Sequence, residues 1–442
     1  MCKAPSSRGG VAAPVIKGPH SLAAQTGWVT NKNIMIEGHD IICFSNDWDG
    51  DPLSKKHIML RLSRKNRILW VNSIGNRNPS ASVRDLKRVF KKIQDFGGGC
   101  RQVAENIHTF SPLAIPFHGN AAARALNRRF LAWSVRRAYR RLGFKNPITW
   151  SFLPTSGQVV GALGEKLIVY HCVDEFSEFT GTDKSAILDM ERDLLRKADQ
   201  VFVSSGPLYE TKRLHNPRTS MVTHGVDLDH FRKACDPKMV VPADIAALPR
   251  PVIGFYGLVA DWVDLNLIKF LAMSRPSWSF VLIGKVDTDV SAIEGLANVH
   301  LLGRKPYSVL PSYCAGIDVA ILPFVINELT LASNPLKLRE YLAAGLPVVT
   351  TNIPEARRLG EHVRISTAYD EFLAHIETYL AQGAGPQVSI SDAMAGESWD
   401  AKVEEMSSLI QPLLPVGDES LRAACGPRNE STRERPARMR VS

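Results

Sequence analysis

Short runs rich in β-branched and aromatic residues alternate with helical patterns along most of the chain, and this alternation restricts the fold more than any other feature. Strands separated by helices pair in parallel, and a parallel sheet needs helices over both faces. Two such series are present. The first comprises DIICFS (40 to 45), RILWVN (67 to 72), PITWSF (147 to 152), KLIVYHCV (166 to 173), QVFVSS (200 to 205) and SMVTHG (220 to 225). The second comprises PVIGFYG (251 to 257), SFVLIG (279 to 284), VHLLG (299 to 303), VAILPF (319 to 324) and PVVTT (347 to 351). Between them, 234 to 250 holds Pro237, Pro242 and Pro249 and no clear period, which reads as a hinge linker. The expected class is α/β, with two doubly wound domains (38 to 233 and 251 to 397) facing across a cleft. Ligands of such sheets bind in the crevice outside the carboxyl ends of the strands.

The flanks read differently. Residues 1 to 37 form an extension, disordered in part, and 416 to 442 a basic, disordered tail with little to bury. SWDAKVEEMSSLIQPLL (398 to 414), within a final segment 398 to 415, is an amphipathic helix that comes after the second sheet is complete. Crossing back to the first domain would bury Trp399, Met406 and Leu409; packing on the second domain is the alternative.

Composition excludes several classes. The chain has 442 residues, 45% hydrophobic and 22% charged, which suits two or three globular domains. It contains no run of about 18 apolar residues, and its start lacks a secretory signal, so a cytosolic protein is expected. Seven cysteines without a CxxC pair indicate neither zinc nor a disulfide framework. The net charge of +10 is concentrated in the tail and in 121 to 144, where AAARALNRRFLAWSVRRAYRRLGF carries seven arginines and no acid. Leu126, Phe130, Trp133 and Leu142 offer an apolar stripe there. Such a helix can lie on the anionic inner surface of the cytoplasmic membrane; a solvated face of a helix packed on a sheet is the plainer reading. Nothing points to nucleic acid, since no aromatic-interleaved basic module or finger spacing accompanies the arginines.

The stretch NELTLASNPLKLREYLAAGLPVVTT (327 to 351) is an anion site in outline. Ser333 and Asn334 precede Pro335 at a helix start, so the amides of Leu336 and Lys337 have no partner within the helix and point outward. Lys337 adds positive charge, and Glu340, one turn on, can accept two hydrogen bonds from vicinal hydroxyls. A capped surface helix feeding a buried strand would use the same residues.

Taken together, HGVDLDHF (224 to 231), IGFYG (253 to 257), VLIG (281 to 284), NVHLLGRKPYSVLPSY (298 to 313), DVAILPF (318 to 324) and NPLKLREYLAAGLPVV (334 to 349) resemble a retaining glycosyltransferase of the two-Rossmann GT-B type, in the large family numbered four. The resemblance spans roughly 38 to 415. SNDWDG (45 to 50) and VYHCVDEFSEF (169 to 179) are similar to a branch that assembles bacterial polysaccharides, such as teichuronic acid. It implies a nucleotide-diphosphate sugar held by the second domain and a lipid-linked or polysaccharide acceptor held by the first. It places the base against Leu302, Gly303 and Arg304, the ribose on Glu340, and the diphosphate on Asn334, Pro335, Leu336, Lys337 and the turn at Gly257.

Two departures stand out. The family's E-x7-E pattern has Ala332 where its leading acid belongs, which leaves Glu328 or the backbone from Asn327 to Thr330 for that task, or changes the sugar. The first strand of the second domain also lacks the usual Arg and Lys, so Lys285 or Lys337 can substitute in neutralising the leaving pyrophosphate. Magnesium is the alternative, but no DxD-like strand-end acid pair is convincing, and metal-independent action with no cofactor is expected. His171 and Asp174, at the end of KLIVYHCV, are the catalytic candidates of the first domain; a buried structural histidine is the alternative. His224 reads mainly as shaping the HGVD turn. Asp47, Trp48 and Asp49 suit an acceptor sugar, since carboxylates take paired hydroxyls and an indole packs on a pyranose; a plain capped loop is equally compatible. Two rivals share the architecture: a sugar-nucleotide 2-epimerase, and a catalytically silent sugar-nucleotide-binding partner. Nicotinamide chemistry is disfavoured because neither first strand is followed by G-x-G-x-x-G.

Overall fold

A computed structural model describes residues 35–50, 52–73, 99–112, 121–179, 182–360 and 362–415, with side chains from 128 onward in the arginine-rich helix. Two sheets form. The first has the order β3-β4-β2-β1-β5-β6-β7-β8, built from β1 (Asp40–Phe44), β2 (Arg67–Val71), β3 (Arg101–Ala104), β4 (Ile107–Phe110), β5 (Ile148–Ser151), β6 (Leu167–Cys172), β7 (Gln200–Val203) and β8 (Thr219–Met221). Every pair is parallel except β3 with β4. The second sheet is wholly parallel, in the order β11-β10-β9-β12-β13-β14, from β9 (Val252–Tyr256), β10 (Ser279–Ile283), β11 (Val299–Leu301), β12 (Val319–Leu322), β13 (Val348–Thr351) and β14 (Val363–Ser366). The α/β class with two doubly wound sheets is therefore observed. Three strands escaped the sequence pattern: β3, β4 and β14 are four residues each, and all lie at or next to a sheet edge. Edge strands lack the continuous apolar run that burial on both faces demands.

The helices cover these sheets. In chain order the ones used below are α1 (Ser54–Leu62), α2 (Ala121–Arg141), α3 (Lys184–Lys197), α4 (Glu328–Ala332), α5 (Leu336–Ala343) and α6 (Trp399–Ile410). In α2 the buried face is Leu131, Ala132, Val135, Ala138 and Tyr139, whereas Phe130 and Trp133 are exposed and Leu142 is half-buried. The stripe expected from sequence is thus rotated. Leu131, Val135 and Tyr139, with Ala132 and Ala138 between them, make the contact in place of Phe130 and Trp133; Leu126 falls outside the described side chains.

The linker residues are fastened to the second sheet. Asp244 accepts from Lys305 at 2.7 Å and from the Tyr313 hydroxyl at 2.9 Å, and Arg250 pairs with Asp318. Helix α6 takes the crossing placement. Trp399, Val403, Met406 and Ile410 bury against α1 and the first sheet's core, with Ile58, Met59 and Leu62 in the same cluster. Leu409 is exposed, contrary to expectation, because Met406 and Ile410 already occupy the inner face. His57 stacks on Trp399 at 5.4 Å, and Asp400 pairs with Arg61 at 2.9 Å and Arg64 at 2.6 Å. The backbone before α6 approaches the HGVD turn so closely that a Cβ on Gly225 would lie 2.8 Å from the Trp399 Cα.

Burial of Trp399 is the largest single apolar contribution of α6. We expect Trp399→Ala to lower unfolding stability by about 3–5 kcal/mol in urea titration; a loss below about 1 kcal/mol would show that the crossing helix is not integral to the fold.

Candidate active site

The carboxyl ends of both sheets border one cavity of about 530 Å³. The first sheet contributes Asn46 beyond β1, Val173 and Asp174 beyond β6, His224 beyond β8, and Ser54 and Lys55 at the start of α1. The second contributes Gly257 beyond β9 and Thr330, Ser333, Asn334, Pro335, Leu336 and Lys337 around the start of α5. Phe176, Phe179, Phe255, Trp262 and Phe324 make much of the wall apolar.

The start of α5 is open. Pro335 occupies its N-cap and no side chain caps it, so the first-turn amides at the cavity wall have no helical acceptor. Lys337 packs beside the Gly257 turn, and its ammonium stands 3.9 Å from Glu340 and 5.9 Å over the Tyr256 ring. A Cβ at 284 would lie 1.7 Å from the Gly257 carbonyl oxygen, so the end of β10 meets the Gly257 turn only as glycine. Glu340 is 7% exposed and sits one turn behind the wall, accepting from the Tyr256 hydroxyl at 3.0 Å. It faces the region after β11: burial first, and the Glu340 charge next, raise the Tyr307 hydroxyl above its ordinary pKa. Asn334 is buried, and its side chain is consumed. Its amide donates to the Ser204 carbonyl at 2.6 Å and its oxygen accepts from Arg339 at 2.6 Å, leaving only backbone for a ligand.

On the opposite wall the structure revises the sequence expectation. His171 is not at the cavity: its ring is enclosed by Trp150, Phe152 and Phe202, and neither ring nitrogen has a hydrogen-bond partner. Burial, then the nearby Lys55, depress its pKa to about 3, so it stays neutral. The strand's alternation explains this, since successive residues point to opposite faces and His171 points into the core. His224 lines the cavity instead, also held neutral by burial. Asp174 does line it, and no side-chain hydrogen bond engages its carboxyl among the described residues. Burial raises its pKa to about 6, against the lowering influence of Lys55.

Other candidates are placed elsewhere. Glu328 is exposed and faces a separate groove of about 340 Å³ with Lys184 and Glu178, because it lies in the first turn of α4, on the far side from the cavity. Asn327 is the N-cap of α4, with its side chain accepting from the Thr330 amide at 2.9 Å. Thr330 reaches the wall, though its hydroxyl donates to Val325 at 2.6 Å. Ala332 packs into the first sheet's core, and its carbonyl accepts from Ser205 at 2.6 Å. Lys285 is exposed and paired with Asp287. Leu302, Gly303 and Arg304 follow β11 at the carboxyl edge, with the Leu302 amide donating to Leu282 at 3.0 Å, but do not line the cavity. Asp47 accepts from Ser73 at 3.1 Å, Trp48 is buried edge-on against Trp70 at 5.1 Å, and Asp49 pairs with Arg101 at 3.2 Å. Those three build the loop after β1; its Asn46 is the residue that reaches the cavity.

Sequence reading missed Lys55, and SKKH at a helix start holds no signal for it. Only the packing of α1 across the sheet end shows that the first of its two lysines is buried and the second is not.

Among known proteins, residues 250–382 match the family described as Glycosyl transferases group 1. A Bacillus subtilis (strain 168) protein assigned as the teichuronic acid biosynthesis glycosyltransferase TuaH is 30% identical over 242 residues, covering 49% of this chain and 59% of that protein. The chain thus spans little more than half the length of this relative. The fold is GT-B. Sucrose-phosphate synthase from Thermosynechococcus elongatus superposes with TM-score 0.62 at 16% identity, over 88% of this chain and all of the other. Anabaena HepE, solved with UDP and glucose, gives 0.54 at 14% identity over 87% and 99%. A UDP-forming trehalose-phosphate synthase from Burkholderia xenovorans gives 0.58 at 11% identity over 85% and 99%.

The raised Asp174 pKa has a stability consequence. Between the ordinary carboxylate value and about 6, the folded chain holds this proton more tightly than the unfolded chain, so the group's contribution falls as pH rises through that window. We expect Asp174→Asn to raise unfolding stability at pH 7.5 by roughly 3 kcal/mol at most, read by urea titration, and the gain to shrink at pH 5. An equal gain at both pH values would show that Asp174 is not held in this way.

Proposed function

We propose that this protein is a retaining glycosyltransferase that moves a sugar from a nucleotide-diphosphate donor to a hydroxyl of a lipid-linked or polysaccharide acceptor, in the assembly of a bacterial surface polysaccharide. One observation carries the reading: the uncapped start of α5, with Lys337, opens onto the cavity between the two sheets while Glu340 is buried behind it beside Tyr256. The matched family segment covers this half of the site, and the teichuronic acid relative favours polysaccharide assembly. HepE, by its complexes, accommodates UDP and glucose in the same fold.

In this reading the diphosphate rests on the α5 amides and Lys337, and Glu340 takes the ribose hydroxyls with the oxygen that Tyr256 leaves open. The base lies toward Leu302, Gly303 and Arg304. Breaking the bond from the anomeric carbon leaves its electron pair on the phosphate oxygen, where the amides and ammonium stabilise it; the acceptor hydroxyl oxygen bonds the anomeric carbon on the same face, and its proton passes to that phosphate oxygen. Asp174 and Asn46 orient the sugar hydroxyls. No metal enters the reaction. The apolar wall excludes water from the activated donor.

The donor is identified by a thermal-shift panel of nucleotide sugars, because a ligand that binds only the folded state raises its melting temperature. Glu340→Ala is expected to weaken the stabilising donor at least about tenfold, the effect of one lost charge-assisted pair; wild-type affinity in that variant would refute the assignment. Interconversion of the free nucleotide sugar without acceptor would favour an epimerase instead.

We place the enzyme at the inner face of the cytoplasmic membrane. Among the described residues no helix is long and apolar enough to cross a membrane. On α2, however, Trp133 is 54% exposed beside Phe130 and Arg137, with Arg128, Arg129, Arg136, Arg140 and Arg141 around it. Cations beside exposed aromatic rings suit an anionic headgroup layer. Vesicles with about one-third phosphatidylglycerol should sediment the protein at low salt, and Arg136→Glu with Arg137→Glu should release it; equal binding to neutral vesicles would contradict this placement.

A further inference from the structure

The half that grips the nucleotide is short of positive charge. A diphosphate leaving group needs more than one cation or its equivalent in aligned donors. Lys285 is paired away from the cavity with Asp287, and Arg339 is buried behind the α5 start, spent on Asn334 and Glu397. The cavity wall holds two ammonium groups among the described residues, and they come from opposite halves: Lys337 of α5 and Lys55 of α1.

Lys55 is an unusual lysine. It is 6% exposed, and the one hydrogen bond its ammonium makes among the described residues is to Asn46 Oδ1, at 3.3 Å. Its ammonium lies 5.5 Å over the Phe176 ring, and among the described residues no carboxylate forms an ion pair with it; Asp174 acts on it through space. A buried charge with so much unused donor capacity is costly in an empty site and favourable once an anion arrives. The neighbouring Lys56, whose ammonium donates to the Trp48 carbonyl at 3.1 Å and sits 4.5 Å over its ring, has no place on the cavity wall.

Building on the donor reading above, we propose that Lys55 reaches across the cleft to the diphosphate as the second cation beside Lys337, so that the anion site is complete only when both halves contribute. The ligand class is a nucleoside diphosphate, free or sugar-linked. Lys55 then serves twice: it strengthens diphosphate binding, and it stabilises the electron pair left on the phosphate oxygen as the glycosyl bond breaks. A donor bound to the second half alone would be held but not activated.

The test uses the full chain with UDP, GDP, ADP and dTDP and the matching monophosphates, by thermal shift and calorimetry. For whichever base binds, the wild type should prefer the diphosphate. Lys55→Met should cut that preference about tenfold, with monophosphate affinity nearly unchanged, while Lys55→Arg restores part of it. Lys337→Met should leave a residual preference that Lys55 supplies. An unchanged diphosphate-to-monophosphate ratio in Lys55→Met, whatever its transfer activity, would overturn the proposal and leave the donor reading standing. Complete loss of the ratio in Lys337→Met would do the same, and needs no Lys55 variant to fold. Absence of any nucleotide binding by the wild type would defeat the donor reading itself.

Discussion

The side-chain amide of Asn334 ties the two halves of the site together. Its NH2 donates to the Ser204 carbonyl at the end of β7, and its oxygen accepts from Arg339, which in turn pairs with Glu397 at 3.1 Å just before the crossing helix. Arg339 is almost wholly buried. A guanidinium in that position persists only with its donors engaged, so the loop before α5, the end of β7 and the start of the C-terminal segment are mutually committed. Ser205 adds a second tie through the Ala332 carbonyl, and Glu355 a third through the Gly206 amide at 3.3 Å. The open amides of α5 meet the cavity at a definite angle because of these ties.

The same network explains the departure at Ala332. That residue packs into the core of the first sheet, with its carbonyl used by Ser205. An acid there would have to be desolvated against apolar side chains, so alanine is the compatible residue in this arrangement. The charge pattern of the cavity shifts accordingly: one ammonium from each half faces it, with Asp174 as the buried carboxyl between an apolar wall and Lys55. Holding Asp174 near a pKa of 6 costs stability at neutral pH, a cost of the kind that functional sites bear.

Interlobe geometry also explains the aromatic wall. Phe176 and Phe179 come from the loop after β6 and Trp262 from the loop after β9, so both halves set apolar surface beside the polar groups of the cavity. A low-dielectric setting strengthens each charge interaction made beside that wall.

Most of the fold was legible because its signals are local. The eleven strand runs read from sequence all fall on observed strands, and the open helix start at Pro335 followed from residues adjacent in the chain. The strands that were missed are short and lie toward sheet edges, where burial leaves a weaker mark. The cavity lining was legible in part on each half: Asp174 on the first, and Gly257, Thr330 and Asn334 to Lys337 on the second. His171 and Asp174 are three residues apart in one strand end, yet the core takes the first and the cavity the second; Lys55 and Lys56 are adjacent, and only Lys55 faces the cavity. Glu328 and Lys285 carry the right charges and face elsewhere. Sequence alone determined the two α/β sheets and the uncapped helix start after Pro335, since periodicity, caps and glycine turns depend on near neighbours. Which charged groups meet in the cleft was decided by tertiary structure, because a charge acquires its role from what stands opposite it, here on a different sheet and more than two hundred residues away.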